Sequence, residues 1–301
     1  MTTRLGAFNP GREARLSIDP QKAPAIEPSQ TILPYVDFAD AAPISRFSVP
    51  QSQRYDYASP SLKRAQLLPL FPSLEVRDPS ALTWPWLRKD APHLWRSDRR
   101  SRRNPDIGVQ SLEEAELLYN NALQFAGRRG LEIGCHYGWS TAHLLAAGLR
   151  LDVIDPALGY ADQMTDVRES LSGVSTTGGF NLWAGFSPSI VPAVRAVRPE
   201  PWSFVFIDGY HEGRAPLDDA EAVSGLCAPD ACVMFHDLVS PHVAAGLGHF
   251  IREGWRVGLY NTMQVMAIAW RGAAAPVRHV ADPGVPPPDQ AHLAGIAVLS
   301  V

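Results

Sequence analysis

The chain has few cysteines, no long apolar run and no excess of positive charge. Its three cysteines, Cys135, Cys227 and Cys232, lack metal-type spacing, so neither a disulfide framework nor a zinc cluster is expected. No apolar stretch reaches the length of a membrane span or a signal-peptide core, which predicts a cytoplasmic protein without a membrane partner. A net charge of -4 and a pI near 6.1 disfavour nucleic acid as a partner.

Glycine is scarce and proline abundant in the N-terminal third of the chain. Residues 1–110 hold 14 of the 27 prolines but only 3 of the 23 glycines, with no sustained helical or alternating period. We expect irregular, extended structure there. Because this stretch also carries aromatic residues such as Trp84, Trp86 and Trp95, part of it should pack on the main domain. It is interpreted as a cap over the substrate opening, a structural wrap, or an arm of a homo-oligomer.

One basic cluster stands out, at residues 96–103, where five arginines occur. A nucleic-acid patch combines such charge with stacking aromatic residues in a domain that is basic overall. This chain is not basic overall, so the last condition fails. A solvated face or salt bridges to acidic residues is the preferred interpretation. An anionic substrate or RNA is the alternative.

From Ser111 onward, strand-like and helix-like segments alternate. Ser111 and Glu114 form a capping box that predicts a helix over 112–125. The apolar periods predict further helices at 139–149 and 217–226 and from Pro241 to a stop at Gly254. Strands are predicted at 131–133, 150–155, 179–183, 202–208 and 231–237, and less regularly within 256–270.

This alternation predicts an α/β fold with a Rossmann-like, doubly wound, mostly parallel sheet. We divide the chain into a Pro-rich N-terminal extension (1–107), a main domain (108–272) and a loosely attached C-terminal tail (273–301). Within the tail, residues 296–299 are apolar enough to dock as a strand.

The segment from Leu131 to Thr141 is the most informative part of the chain. Gly134 and Gly138 allow a tight turn from strand to helix and let a ligand approach the backbone. Glu132 lies at the carboxyl end of the strand, where open α/β sheets bind ligands. A second acid, Asp155, ends the next strand and suits a ribose diol.

The spacing of this loop separates two kinds of nucleotide cofactor. The loop lacks the G-x-G-x-x-G of dinucleotide sites, and Glu132 would repel a pyrophosphate. The same carboxylate would tolerate the sulfonium and amino group of S-adenosylmethionine (SAM). A generic strand-turn-helix without a ligand is the alternative.

A second group of polar residues follows two later strands. Asp208 and Asp237 end these strands at the same sheet edge as Glu132, His211 follows Asp208 on a turn, and His236 precedes Asp237. Aspartates and a histidine at strand ends can bind a divalent cation, and a free histidine can act as a general base.

Taken in order, these motifs resemble those of class I SAM-dependent methyltransferases. They are carried by 131–141, 204–211 and 233–237, and the resemblance covers roughly 108–272. More narrowly, they resemble the branch with the macrocin-type sugar O-methyltransferases and cephalosporin-hydroxylase-like proteins, known as methyltransferase family 24. The resemblance implies a SAM-dependent O-methyltransferase with a small-molecule acceptor.

The resemblance also implies roles for individual residues. Asp155 would hold the ribose, and Phe186 and Ser187 would contact adenine. His211 would be the catalytic base, and Asp208 would be both a catalytic residue and a cofactor contact. The metal ligands would be Asp208, His236 and Asp237. The remaining predicted cofactor contacts come from the first motif, namely Glu132, Gly134, Cys135, His136, Gly138, Ser140 and Thr141.

Two departures from the family pattern leave alternatives open, namely His236 and the lack of an acid in 184–187, where relatives often contact adenine. His236 stands where metal-dependent members carry an acid. The site therefore binds Mg²⁺, binds a softer ion, or binds no metal. A metal requirement would favour an aliphatic alcohol, whose pKa of about 15.7 lies far above that of histidine. A metal-free enzyme would favour a phenol, an acid or an amine. Rival functions are an oxidoreductase or hydroxylase on the same fold and a non-catalytic SAM-binding scaffold.

Overall fold

The computed structural model describes residues 55–56, 67–71, 74–76, 93–97, 106–174, 176, 178–262, 264–279 and 291–299. The predictions of a cap or oligomer arm within 1–107, and of a role for the basic cluster beyond Ser97, fall mostly outside these residues. In the part of the chain that is described, no helix is long and apolar enough to cross a membrane.

The described residues form twelve strands and six α-helices. The strands are β1 (Tyr55–Asp56), β2 (Leu74–Val76), β3 (His93–Ser97), β4 (Asp106–Ser111), β5 (Arg129–Ile133), β6 (Arg150–Asp155), β7 (Phe180–Ala184), β8 (Trp202–Ile207), β9 (Cys227–Phe235), β10 (Arg256–Tyr260), β11 (Met266–Arg271) and β12 (Arg278–His279). The helices are α1 (Leu112–Ala122), α2 (Trp139–Ala146), α3 (Ala161–Ser172), α4 (Val191–Val197), α5 (Ala215–Ser224) and α6 (Pro241–Arg252).

Seven strands build the central sheet, in the order β10-β11-β9-β8-β5-β6-β7. The pairs from β9 through β8, β5 and β6 to β7 are parallel, and β11 runs antiparallel to both of its neighbours. The predicted Rossmann-like, mostly parallel sheet is therefore confirmed. Because β5 and β8 pair in register, with Glu132 opposite Phe206, the first and second motifs emerge side by side at one edge.

Helices cover the sheet on both faces, as buried parallel strands require. One core cluster joins the sheet to α1, α2 and α3 through residues such as Leu117, Leu144 and Leu171. The other joins it to α4, α5 and α6, with Val194, Val223 and Leu247 among its members. The carboxyl edge of the sheet therefore has one wall built by α1, α2 and α3 and a second wall built by α4, α5 and α6.

Away from that edge, the sheet holds a buried ion pair. Arg129 Nε lies 2.7 Å from Asp152 Oδ2, and both side chains are buried. The same carboxylate accepts bonds from the Asn181 amide and from the indole N–H groups of Trp183 and Trp202. Such a network stabilises only while every member is paired.

Two segments predicted to be irregular or loosely attached contain regular structure among their described residues. In the N-terminal third, β2, β3 and β4 form an antiparallel sheet. Leu67 and Phe71 are buried in the core, as expected for part of this third. In the tail, Val277 and Leu293 are buried, and residues 297–299 pair with Leu259 as predicted. Short strands of this kind are stabilised by tertiary pairing, which periodicity does not reveal.

The helices and strands predicted from Ser111 onward are present, but their first or last residues differ from the predicted ones. Residues 112–125 continue from α1 into one turn of 3-10 helix, and β9 begins four residues before the predicted Ala231. The uncertain region 256–270 resolves into the antiparallel pair β10 and β11. A tight connection that includes Val265 at a φ of 54° separates them.

Candidate active site

The loop between β5 and α2 depends on two glycines with positive φ. Gly134 has a φ of 86° and Gly138 a φ of 87°, in the region that side chains with a Cβ avoid. A Cβ on Gly134 would lie 2.2 Å from the carbonyl oxygen of Asp208. The loop therefore touches the end of β8 directly, which brings the first two sequence motifs into one site.

Asp155 holds this loop from the end of β6. Its Oδ2 accepts hydrogen bonds from the backbone N–H groups of Cys135 and His136, both at 2.9 Å, and its Oδ1 accepts one from Ala157. The predicted ribose-binding carboxylate is thus also the support of the glycine loop. It lines the cavity described below, where one of its oxygens can still share a hydroxyl.

Glu132 lies behind the loop instead of on its open side. Its carboxyl group is fully buried and accepts hydrogen bonds from the Ser140 hydroxyl at 2.5 Å and the Thr141 hydroxyl at 2.6 Å. Burial raises the pKa of Glu132 to about 8, although the two hydroxyls oppose the shift. At neutral pH the Glu132 side chain is therefore mainly protonated, which weakens the predicted repulsion of a pyrophosphate and leaves the predicted tolerance of a sulfonium without a full negative charge behind it.

A cavity of about 520 Å³ opens at the carboxyl edge of the sheet. It is bounded by backbone and side chains from the ends of β5, β6, β7 and β8. Of the predicted cofactor residues, Glu132, Gly138 and Thr141 lie outside the lining and shape the loop from behind. The others line the cavity, namely Gly134, Cys135, His136, Ser140, Asp155, Phe186, Ser187 and Asp208.

Polar atoms without partners occur at two ends of this cavity. On the α2 side, neither the amide of Gln110 nor the indole N–H of Trp139 has a hydrogen-bond partner among the described residues. On the α5 side, Ser187 Oγ and Asp219 Oδ1 form no well-aligned hydrogen bond within the described chain, although the Ser187 hydroxyl lies close enough to lower the pKa of Asp219. All four residues line the cavity, and apolar groups including Ile154 and Pro156 lie elsewhere along it. Buried polar groups are normally paired, so these atoms are available to bind a molecule in the cavity.

The acid and histidine residues of the second group meet beside the cavity. His211 Nδ1 lies 2.6 Å from Asp237 Oδ2, and its Nε2 lies 3.9 Å from Asp208 Oδ1. Asp237 has a φ of 61°, a left-handed conformation that an aspartate tolerates at functional positions. About 40% of the His211 side chain is exposed, which leaves it open to a second molecule.

His236 is held on the inner side of the same group. Its Nδ1 lies 3.1 Å from Asp237 and 3.4 Å from Asp208, and its Nε2 lies 3.2 Å from Glu114. Burial opposes the charged imidazole, but the three carboxylates outweigh it and raise the pKa of His236 well above its usual range. His236 therefore acts as a buried positive charge between carboxylates.

The remaining pKa shifts follow from this arrangement. The hydrogen bond to Asp237 raises the pKa of His211, against a smaller effect of burial. Burial favours the protonated form of Asp237, yet His236 and His211 lower its pKa. The pKa of Asp208 is raised by burial, with the two histidines opposing.

The predicted metal triad changes in composition. Within the described residues, the atoms close enough to share one ion belong to Asp208, His211 and Asp237, all within 4.8 Å of one another. His236 is not in this set, although its Nδ1 lies 3.1 Å from Asp237, and its Nε2 lies 3.2 Å from Glu114. Two oxygens and one imidazole nitrogen fit a divalent cation such as Mn²⁺ or Zn²⁺ better than Mg²⁺. His211 cannot bind that ion and act as a base through the same nitrogen.

Sequence reasoning missed three residues of this site. Glu114 was assigned to a helix cap, but its carboxylate contacts His236 and accepts a bond from the Gln264 N–H, 150 residues away. Gln110 precedes the helix without any motif. Asp219 carried a signal that was overlooked, since it shares the buried face of α5 with Pro216 and Val223.

The comparison with protein families gives one match in this region. Residues 131–238 match the model of a family described as a methyltransferase domain. That range contains all three sequence motifs and ends one residue after Asp237. No curated protein matches the chain.

Several solved structures resemble the chain. An O-methyltransferase from Bacillus cereus in complex with SAH is 16% identical, with a TM-score of 0.43, over 52% of this chain and 80% of that one. The O-methyltransferase TomG of Streptomyces achromogenes, involved in tomaymycin synthesis, is 20% identical, with a TM-score of 0.42, over 56% and 83%. CalS11, a TDP-rhamnose 3'-O-methyltransferase of calicheamicin biosynthesis, is 16% identical, with a TM-score of 0.43, over 52% and 77%.

Proposed function

We propose, from the premise that residues 131–238 form a class I methyltransferase domain, that the chain transfers the methyl group of SAM to an oxygen of a small hydroxylated molecule. The supporting observation is that a cavity with unpaired polar atoms at both ends lies directly beside the His211 and Asp237 pair. The cavity suits a cofactor, and the His211 and Asp237 pair suits proton removal from an acceptor.

The cavity matches the chemical layout of SAM. The amino-acid end of SAM carries a carboxylate and an ammonium. The indole N–H of Trp139 can donate to the carboxylate, and the amide of Gln110 can donate to the carboxylate or accept from the ammonium. The ribose suits Asp155 at the end of β6. The adenine ring, flat and apolar with a polar edge, suits Phe186 and Ser187. A dinucleotide fits poorly, because no glycine-rich cradle for a pyrophosphate follows β5.

In this proposal, His211 accepts the acceptor's proton while Asp237 orients the imidazole. Asp237 accepts a hydrogen bond from Nδ1, which leaves Nε2 as the proton acceptor. The oxygen of the acceptor forms the new bond to the methyl carbon as the bond from sulfur to that carbon breaks. The positive charge of His236 opposes the two carboxylates and lowers the pKa of His211, which favours the neutral imidazole that can accept a proton.

A divalent cation is the alternative to this base role, because His211 has only Nε2 left to bind an ion or to accept a proton while Nδ1 donates to Asp237. Asp208, His211 and Asp237 would hold it, and it would lower the pKa of a bound hydroxyl. In that case a sugar or aliphatic alcohol is the favoured acceptor, whereas without a cation a phenol is favoured, since its pKa is near 10.

The test is methyl transfer from labelled SAM to a panel of sugars, aliphatic alcohols and phenols, with and without EDTA. Label should move to an acceptor, and His211→Ala should abolish transfer while SAM binding persists. Binding of NAD without SAM would refute the proposal. Full biological activity of His211→Ala would favour the scaffold alternative.

A further inference from the structure

We propose that Asp219, with Ser187, recognises the amino edge of the adenine ring and makes the site selective for adenine over other purines. This inference rests on the proposed function, because it concerns the cofactor of that site. It assigns a recognition role to a helix residue outside all three sequence motifs.

The first argument is the burial of Asp219. Its side chain sits on α5 with only 3% exposed, and its Oδ1 has no hydrogen-bond partner among the described residues. A buried carboxylate without a full set of partners is costly, and natural proteins keep such groups where they serve a ligand. Arg214 and Asp218, on the outer side of the same helix, pair with each other at 2.7 Å.

The second argument is location. Asp219 lines the cavity together with Phe186 and Ser187, which follow β7, and with Ala215, which begins α5. These residues belong to the wall built by α4 and α5, across the sheet edge from Trp139 on α2. Phe186 is 71% exposed, so its ring face is open for stacking. A flat ring placed there has its edge near Asp219.

The third argument is hydrogen-bond polarity. Adenine presents an amine donor beside a ring-nitrogen acceptor, whereas hypoxanthine presents a carbonyl acceptor beside an N–H donor. Burial raises the pKa of Asp219 to about 6, with the Ser187 hydroxyl opposing, so the carboxylate is mainly ionised above pH 7. An ionised Asp219 can only accept, which fits the adenine amine. The single proton of the Ser187 hydroxyl can turn from Asp219 to the ring nitrogen when adenine is bound.

The segment after β7 explains why this acid is needed. Ala184 to Ser187 contains no acidic residue that could accept from the adenine amine. The neighbouring helix supplies one instead, and the Ser187 hydroxyl lies close enough to Asp219 to affect its pKa. The adenine edge would thus be read by two elements that meet across the cavity.

The experiment compares S-adenosylhomocysteine with S-inosylhomocysteine, which differ only at this edge of the base. Dissociation constants are measured by calorimetry at pH 7.5 for the full chain, Asp219→Asn and the matched control Asp218→Asn. The unaltered chain should prefer the adenosyl compound at least tenfold, equal to about 1.4 kcal/mol. Asp219→Asn should bring this ratio close to one, because an amide can donate to the inosyl carbonyl. Asp218→Asn should keep it.

The two proposals can fail separately. If the unaltered chain binds S-adenosylhomocysteine but Asp219→Asn keeps its preference, the inference on Asp219 is wrong and the proposed function stands. If neither compound binds the unaltered chain, both fail. Thermal unfolding distinguishes a structural role, since a recognition residue predicts that Asp219→Asn melts no lower than the unaltered chain, whereas a large drop with an unchanged ratio would overturn the assignment.

Discussion

The buried carboxyl group of Glu132 should make the unfolding free energy depend on pH in a way that one substitution removes. Its pKa is about 8 in the folded chain, against an ordinary value of 4.5. The folded state therefore binds more protons than the unfolded state between these values, and stability falls as pH rises through this window. Linkage gives a contribution that falls by roughly 4 kcal/mol between pH 5 and pH 9.

Glu132→Gln keeps the shape of the protonated acid and cannot ionise. Its amide can still bond with the Ser140 and Thr141 hydroxyls, because hydroxyls both donate and accept. We expect the variant to be about as stable as the unaltered chain at pH 5 and more stable by roughly 4 kcal/mol at pH 9, because only the unaltered chain loses stability as the pH rises. At pH 7 the carboxyl group still contributes roughly 1.4 kcal/mol of its stabilisation.

The assay is urea unfolding followed by tryptophan fluorescence at pH 5, 7 and 9. Glu169→Gln is the matched control, since Glu169 is exposed on α3 and its loss should leave the pH profile unchanged. Parallel pH profiles for Glu132→Gln and the unaltered chain would refute the reasoning, because they would mean that Glu132 titrates alike in both states.

The remaining predictions concern the loop, the catalytic pair, the cofactor end and the buried ion pair. Gly134→Ala should lower stability by more than about 1 kcal/mol and weaken SAM binding, as calorimetry would show, because a Cβ there combines a positive φ with a clash against Asp208. The rate of methyl transfer should rise with pH as His211 loses its proton. Asp237→Asn should shift this rise to lower pH and lower the rate, because Asp237 raises the pKa of His211. An unchanged pH profile would exclude the pairing of His211 with Asp237. Gln110→Leu should weaken S-adenosylhomocysteine binding about tenfold without lowering the melting temperature. Asp152→Ala should cost about 3 to 5 kcal/mol in urea unfolding, because it leaves the buried Arg129 with backbone carbonyls but no carboxylate, and a cost below about 1 kcal/mol would contradict the burial argument.

The sequence predicts the sheet and the position of the glycine loop well, for a physical reason. Parallel strands are buried on both faces and appear in the sequence as continuous apolar runs. Positive φ at positions 134 and 138 favours glycine, so the tight turn is recognisable from these two residues. Strand ends of a parallel sheet meet at one edge, so the proximity of Asp208 and Asp237 also follows from the sequence.

Side-chain direction could not be predicted in the same way. Glu132 and Asp155 are both acids at strand ends, yet one turns behind the loop and the other supports it from the cavity. The contact of Glu114 with His236 joins residues 122 positions apart, and no local pattern encodes it. Asp219 was hidden because an acid on a helix is normally interpreted as solvated.

The close approach of Gly134 to Asp208 has a consequence for how the molecule opens. The Gly134 N–H bonds to the Ile154 carbonyl and the Asp208 N–H to the Ile133 carbonyl, so three strand ends are linked within a few residues. Cofactor loop and catalytic turn cannot separate without breaking these bonds together. In hydrogen exchange the two amides should therefore behave as one cooperative unit, slowed together when a ligand fills the cavity.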